Sequence, residues 1–491
     1  MSKSFPPFHV LGVLVVGAWL TLMALLVYRT EFSAHKGETA DPIEAGSFEA
    51  SHQTWREIFL KDRKVGYAVG MLRPFQGGYF VQEELFLKLN LMGLGRNLYA
   101  LTQAQVDERL LLKSFQFMTT SGAVRFRMAG RVEQEGLLLS SGGRGEKRIP
   151  LTQPPMLGMS MSYFFLGRKV EVGDVFQLPF FDPSSLLQKN LILKVVGRET
   201  LTLRRIPYNV FRLETELFGK PMIFWIDEKG ETLKEEGFLG FTAVKSSAAV
   251  APMDLEGGGD LYELTAVVPD RPLKDPSRLR YLKIRLEGLG PLEPLRDGGR
   301  QRWHEGVLEI EREEIPKSFP YPLGVQEFPQ EIKKFLEPEF HIESGHEEIL
   351  STAQGIARDD RNPVSVARKL LTWVYRHLEK KPVLSIPSAL EVLRTRSGDC
   401  NEHATLLTAL LRAVGIPSRI SIGLVYTRDK FYYHAWTEAY LGRWVSMDAT
   451  LDQMPADASH IKLLEGNLDQ QVRIAGSIGE IKVSILDHRY D

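Results

Sequence analysis

The sequence predicts an α+β protein, and three observations predict it. Apolar residues alternate with a period of two over residues 51–270, recur at helical spacing from about 330, and return to strand periodicity between 419 and 450. A charge-free apolar stretch near the start adds one N-terminal transmembrane helix to that architecture. At roughly 150 residues per domain, 491 residues suggest about three folded units. Hydrophobic residues at 43% and charged residues at 25% exclude a disordered or fibrous chain. Lys plus Arg number 61 against 62 Asp plus Glu, a net charge of −1, so no electrostatic footprint for general nucleic-acid binding exists. Cys400 is the lone cysteine, which excludes an intrachain disulfide and every multi-cysteine metal site.

Taken in order, residues 1–28 form a short tail and an anchor. From Phe8 to Tyr28 there is no Asp, Glu, Lys or Arg, and a helix of that length spans about 30 Å, the thickness of a hydrocarbon core. The stretch is apolar on all sides, unlike a buried soluble helix, and no convincing small-x-small cleavage site follows before His35. Residues 29–50 are small and polar and read as a linker. Residues 51–270 read as a mainly antiparallel β domain, with runs such as WREIFLKDRKVGYAVGML separated by glycine-containing turns and Asp227–Gly230 as one such turn. Gly142–Gly145 could form an anion-binding nest but reads better as a hairpin tip. Gly158-Met-Ser-Met-Ser162 misses a G-x-S-x-G nucleophile elbow at its last position. Residues 271–329 hold a short β segment and a proline-rich linker.

Residues 330–491 read as helices followed by strands. Asn362-Pro363 supplies an N-cap and a first-turn proline, and Ser388 with Glu391 makes a capping box. Ser397-Gly-Asp-Cys400 runs straight into NEHATLLTALLRAVG, where Ala404, Leu407, Leu411 and Val414 form an apolar stripe and Gly415 then Pro417 end the helix. Cys400 therefore stands in a first helical turn, where the helix dipole favours thiolate and lowers a thiol's pKa. Three strands follow. If Leu441-Gly442-Arg443 is the loop between the second and third, His434 faces Thr450 and Asp448 faces Trp436, all on one face. That spacing lets Asp448 hold the His434 imidazole and leaves its other nitrogen for Cys400: nucleophile, base and orienter.

The motifs GDCNEHATLLTALLRAVGIPSR, HAWTEAYLGRW and Asp448-Ala-Thr450 resemble, in this order, the core of the transglutaminase-like superfamily. The resemblance covers roughly residues 340–455. It implies a papain-like α+β core at the C-terminus, with Cys400 as nucleophile, His434 as base and Asp448 as orienter. It also implies cleavage or exchange of amide bonds through a thioester, by a peptidase, amidase, transglutaminase or acyltransferase acting on protein or peptide amides. Ala449 departs from the proline many members carry after the aspartate. No cofactor is expected. His403 could join Cys400, His434 and Asp448 around zinc, though the helix direction does not demand it. Asn401 and Glu402 serve the helix N-terminus, Trp436 and Trp444 suit core packing better than a substrate platform, and Asp452 and Asp457 read as a solvated acidic loop rather than a calcium site. The alternative function is a non-catalytic binding or assembly module of the cell envelope. The expected location is the inner (plasma) membrane, single-pass, with the catalytic domain facing the periplasm or exterior.

Overall fold

Over Leu112–Ser121 the buried positions are Leu112, Phe115, Phe117, Thr119 and Ser121, and over Val124–Glu133 they are Val124, Phe126, Met128 and Gly130. This is the alternation of a sheet with one covered face. The two strands pair antiparallel with Phe115 opposite Gly130, and Phe117 meets Phe126 edge-on at 6.4 Å. A Cβ at position 130 would lie 2.2 Å from the Phe115 ring, so only glycine lets that ring lie across the neighbouring strand. The computed structural model describes residues 50–491 except 123, 142–145, 218, 291–298, 316–321, 325–326, 383–387, 467–473, 475–476 and 478.

Among the described residues the β region forms one fifteen-stranded sheet. From His52–Leu60 the chain steps outward through successive hairpins to Glu146–Ile149. It restarts at Met156–Leu157 and steps back, through Val175–Asp182 and later strands, to Phe241–Ser246, which pairs with His52–Leu60. All pairs are antiparallel except Met156–Leu157 with Val175–Asp182. The Asp227–Gly230 turn forms as expected: Asp227 accepts from the backbone of Lys229 and Glu231, and Gly230 takes φ 80°. Gly158–Phe164 is a short helix rather than a nucleophile elbow. Gly142–Gly145 lies outside the described residues, between the paired strands Gly136–Ser140 and Glu146–Ile149.

The expected α+β class is corrected here. Among the described residues, strands hold 50% and helices 18%, so the described structure is mostly β. The reason is long-range pairing that periodicity does not reveal. Every β run of 51–270 joins one sheet, and Leu279–Glu287 pairs with both Val307–Glu311 and the distant strand Lys482–Tyr490. The expected transmembrane helix, Phe8–Tyr28, lies outside the described residues, and no helix among the described residues is long and apolar enough to cross a membrane.

Among the described residues the C-terminal unit packs its longer helices, α1 (Glu347–Ala357), α2 (Pro363–His377), α3 (Ala389–Thr395) and α4 (Cys400–Ala413), after a four-residue turn of helix at Gln330–Lys333. They pack on a four-stranded sheet whose members are β1 (Ser418–Thr427), β2 (Lys430–Tyr440), β3 (Trp444–Met447) and β4 (Ile461–Glu465), in the order β3-β2-β1-β4. Asn362 caps α2 through Val364 and Ser365 N–H, and Ser388 caps α3 through Glu391 N–H. The β2–β3 ladder runs from Tyr440 opposite Trp444 to Thr437 opposite Met447, the register that a three-residue loop dictates. Replacing Gly130 with Ala drives a methyl into Phe115 and should cost about 1–3 kcal/mol; a denaturant titration showing an unchanged midpoint would refute this account of the Phe115 contact.

Candidate active site

Helix α4 begins where Gly398 allows it to. A Cβ at 398 would sit 2.2 Å from the Cβ of Glu402. Without one, Glu402 folds back to accept from Asp399 N–H at 2.9 Å, while Asp399 Oδ1 accepts from Asn401 N–H at 3.0 Å. This reciprocal box satisfies N–H groups that a helix start otherwise leaves unpaired. Cys400 is the first residue of the helix that Asp399 caps. The helix is buried almost all round and ends as Gly415 turns to φ 84°. Its flank is fixed to β2, where Thr437 Oγ1 meets Thr408 Oγ1 and the Ala404 carbonyl, each at 3.1 Å.

Strand alternation then places His434, Trp436 and Glu438 on the face of β2 opposite Thr437. His434 Nε2 donates to Asp448 Oδ2 at 2.7 Å. Asp448 follows β3 directly and is fully buried. Its Oδ1 accepts from Thr450 N–H at 2.7 Å and Leu451 N–H at 3.2 Å, and its Oδ2 also faces His460 Nε2 at 3.0 Å. Burial pushes the Asp448 carboxyl up, but the imidazoles beside it outweigh that and hold it far below the usual carboxylate range.

Cys400 reaches the same place through a different atom: the backbone N–H of Ala435, next in sequence to His434, bonds its thiol. The expected thiolate is corrected. Burial, then the Asp399 carboxylate, then those of Glu402 and Asp448 push the thiol well above its ordinary value, against the Ala435 bond. The helix start that was to favour the anion is itself capped by two carboxylates.

Other candidates fall as follows. His403 turns its Nδ1 to the Asp399 carbonyl at 2.6 Å, and burial holds its pKa below the ordinary value against that bond. Glu402 serves the helix N-terminus as expected, and Asn401 contributes the backbone N–H that Asp399 accepts. Trp436 is buried and stacked beside His434, with ring centroids 6.3 Å apart. Trp444 packs on Phe335, Tyr440 and the Arg419 guanidinium. The loop after Asp452 is not the solvated acidic loop expected. Asp457 is 2% exposed and faces His460, Ser459 and Gln453.

Two residues escaped sequence reasoning. His460 is completely buried, and the only signal for it was its position three residues after Asp457. Tyr262, on the short helix Leu261–Thr265, donates its hydroxyl to Asp399 Oδ2 at 3.0 Å and so touches the start of α4 from the other side. That short helix is pinned by Asp260, which accepts from Tyr262 and Gly93 N–H, and by Glu263, which meets Lys430 and Tyr432 on β2.

The ligating atoms of His434, Asp448 and His460 lie within 4.8 Å of one another, close enough to surround a divalent cation. Each is engaged with another at 2.7–3.0 Å, closer together than the roughly 3.3 Å that two ligands ~2.0–2.2 Å from a shared tetrahedral zinc would keep. The cluster is satisfied as a hydrogen-bond network.

Protonation of His460 links stability to pH. Burial pushes its pKa down, but Asp457 and Asp448 outweigh this and raise it to about 9, against about 6.5 unfolded. A raised folded value means stabilisation that is complete below about 6.5 and is lost as pH rises through about 9. The denaturation midpoint should therefore fall between these limits, and His460→Gln should remove that fall; a pH-independent wild-type midpoint contradicts the charge assignment.

Two segments of the chain match known family models. Residues 350–449 match the model of the transglutaminase-like superfamily, and residues 114–235 match that of a protein of unknown function, DUF3108. No curated relative matches. Among solved structures, a "putative cysteine protease" from Cytophaga hutchinsonii is 20% identical, with a TM-score of 0.28, over 46% of this chain and 86% of that one. A "putative protease" from Parabacteroides distasonis is 12% identical, with a TM-score of 0.20, over 71% and 69%. A "beta-barrel-like protein" of DUF1849 from Brucella abortus is 12% identical, with a TM-score of 0.31, over 40% and 96%. Such overlaps are partial, and the assignment rests on the matched segment, which contains Cys400, His434 and Asp448 in order. Residues 350–449 are a transglutaminase-like domain.

Proposed function

We propose that this chain is a thiol-dependent enzyme acting on amide bonds of proteins or peptides, with Cys400 as nucleophile, His434 as base and Asp448 as orienter. The observation that carries the reading is the 2.7 Å bond from His434 Nε2 to Asp448 beside a thiol held at Ala435 N–H. That bond leaves His434 Nδ1 for the sulfur. Because burial keeps the proton on the thiol, His434 must take it as the sulfur attacks the amide carbon. The carbon–nitrogen bond then breaks, the proton passes from His434 to the leaving amine, and a thioester remains for water or a second amine. The Cys400 backbone N–H, in the first turn of α4, is one donor for the oxyanion. Attachment to an inner membrane through the apolar stretch Phe8–Tyr28, with the enzyme facing the periplasm or exterior, belongs to the same proposal and rests on sequence alone.

A second reading is a non-catalytic binding or assembly module. It is favoured by the closure of the α4 start, where Tyr262, Asp399 and Glu402 crowd a thiol that is 9% exposed.

An acyl-donor probe separates the two. The enzyme reading requires a covalent acyl adduct on Cys400, seen by mass spectrometry, that Cys400→Ala abolishes without moving the thermal midpoint. Asp448→Asn should slow acylation less than Cys400→Ala does, because the nucleophile survives. Absence of any adduct over a panel of peptide amides and esters favours the binding module.

A further inference from the structure

We propose that His460 is a positioning residue, whose buried imidazolium holds the Asp448 carboxylate in line with His434 and offsets part of its charge, so that the proton exchanged between Cys400 and His434 stays mobile. The inference rests on the reading of Cys400 and His434 as nucleophile and base.

The charge of His460 follows from its neighbours. Nδ1 faces the Asp457 carbonyl at 3.2 Å and Asp457 Oδ1 at 3.3 Å, and Nε2 faces Asp448 Oδ2 at 3.0 Å. Carbonyls and ionised carboxylates only accept, so both ring nitrogens carry hydrogen and the ring is a cation. Asp448 has no room for a proton of its own, since backbone N–H groups occupy Oδ1 and imidazole nitrogens occupy Oδ2. The raised pKa of His460 agrees.

The groups that face this imidazolium are few. Asp448 approaches from the end of β3, Asp457 from the loop before β4, and the His434 ring from β2 at 5.8 Å. The Trp436 ring meets it edge-on at 5.2 Å. Behind the loop, the Arg300 guanidinium holds the carbonyls of Ala456 and Asp457 and the Glu313 carboxylate. The acids that bear on the thiol are Asp399, Glu402 and Asp448 itself. Without His460, Asp448 and Asp457 would be two buried anions with no cation between them. Both would then hold the proton on the Cys400–His434 pair more tightly, and Asp448 could turn away from His434.

The test uses the chain's single cysteine. Iodoacetamide alkylation of Cys400 is followed by intact mass from pH 6 to 10 in wild type, His460→Gln and His460→Ala. Gln keeps a donor toward Asp448 and loses the charge. One lost charge whose ring lies 5.8 Å from that of His434 corresponds to about one pH unit for the pair, so the Gln variant should alkylate about tenfold more slowly than wild type between pH 6 and 8. The two rates should converge above about 9, where wild-type His460 itself gives up its proton. Ala, which loses the donor as well, should be slower still below that pH.

A Gln variant with wild-type rates throughout, or with a ratio that does not change with pH, assigns His460 a scaffolding role and overturns the proposal. If the variants do not fold, two-bond proton–nitrogen NMR of the wild-type histidines decides. A doubly protonated ring that does not titrate from pH 6 to 8 supports the inference, and its absence overturns it. Alkylation needs no turnover, so failure of the acyl probe defeats the enzyme reading while leaving this measurement intact.

Discussion

A carboxylate removed from water must be met by donors on nearly every lone pair, and Asp448 is such a carboxylate. Its four donors come from three places: His434 on β2, the backbone of Thr450 and Leu451 just beyond β3, and His460 before β4. Losing any of them leaves a buried charge under-solvated, which makes the geometry of all three interdependent. Gln453 extends the tie, since its backbone pairs with that of Asp448 and its side chain with Asp457. Arg300, just before the strand Gln301–His304 of a different sheet, then fixes the loop from behind through Ser446 Oγ and the Ala456 carbonyl, both at 3.0 Å. Imidazole orientation at the site is therefore a property of the whole lower half of the chain.

The same logic governs the helix that presents the thiol. Its N-terminus is closed by its own side chains, and Tyr262 adds a hydroxyl from the segment that joins the large sheet to the C-terminal unit. Arg96, on the strand Leu94–Val106 of the large sheet, reaches the Pro382 carbonyl in the chain before α3. The large sheet is thus in contact with the surroundings of Cys400, and the thiol's environment is shared between the two halves of the molecule.

Local chemistry was readable in the residues; distant partnership was not. A glycine before an N-capping aspartate, an apolar helical stripe and a terminating glycine located α4 and Cys400. A three-residue loop, once assumed, set the β2–β3 register and brought Asp448 to His434. Each of these depends on neighbours within about fifteen residues. The mostly-β balance escaped because strands such as Lys482–Tyr490 declare a partner only in three dimensions. The thiol's raised affinity for its proton escaped because burial and three carboxylates act together, where periodicity shows only a helix start. His460 and Asp457 looked like loop residues because nothing in a polar stretch records that Arg300 will cover it.

The sheet that unites Leu279–Glu287 with Lys482–Tyr490 has a consequence for how the protein is made. The two strands are about 200 residues apart, and the transglutaminase-like domain lies wholly between them. At about 5–20 residues per second on the ribosome, the first strand waits on the order of 10–40 s for its partner. Through that interval one edge of Leu279–Glu287 is unpaired, and Leu282 and Ile284, fully buried in the finished protein, lie beside it. The charged residues set between apolar ones along this strand, Arg280, Lys283, Arg285 and Glu287, are the charge pattern that keeps such an edge from joining another nascent chain.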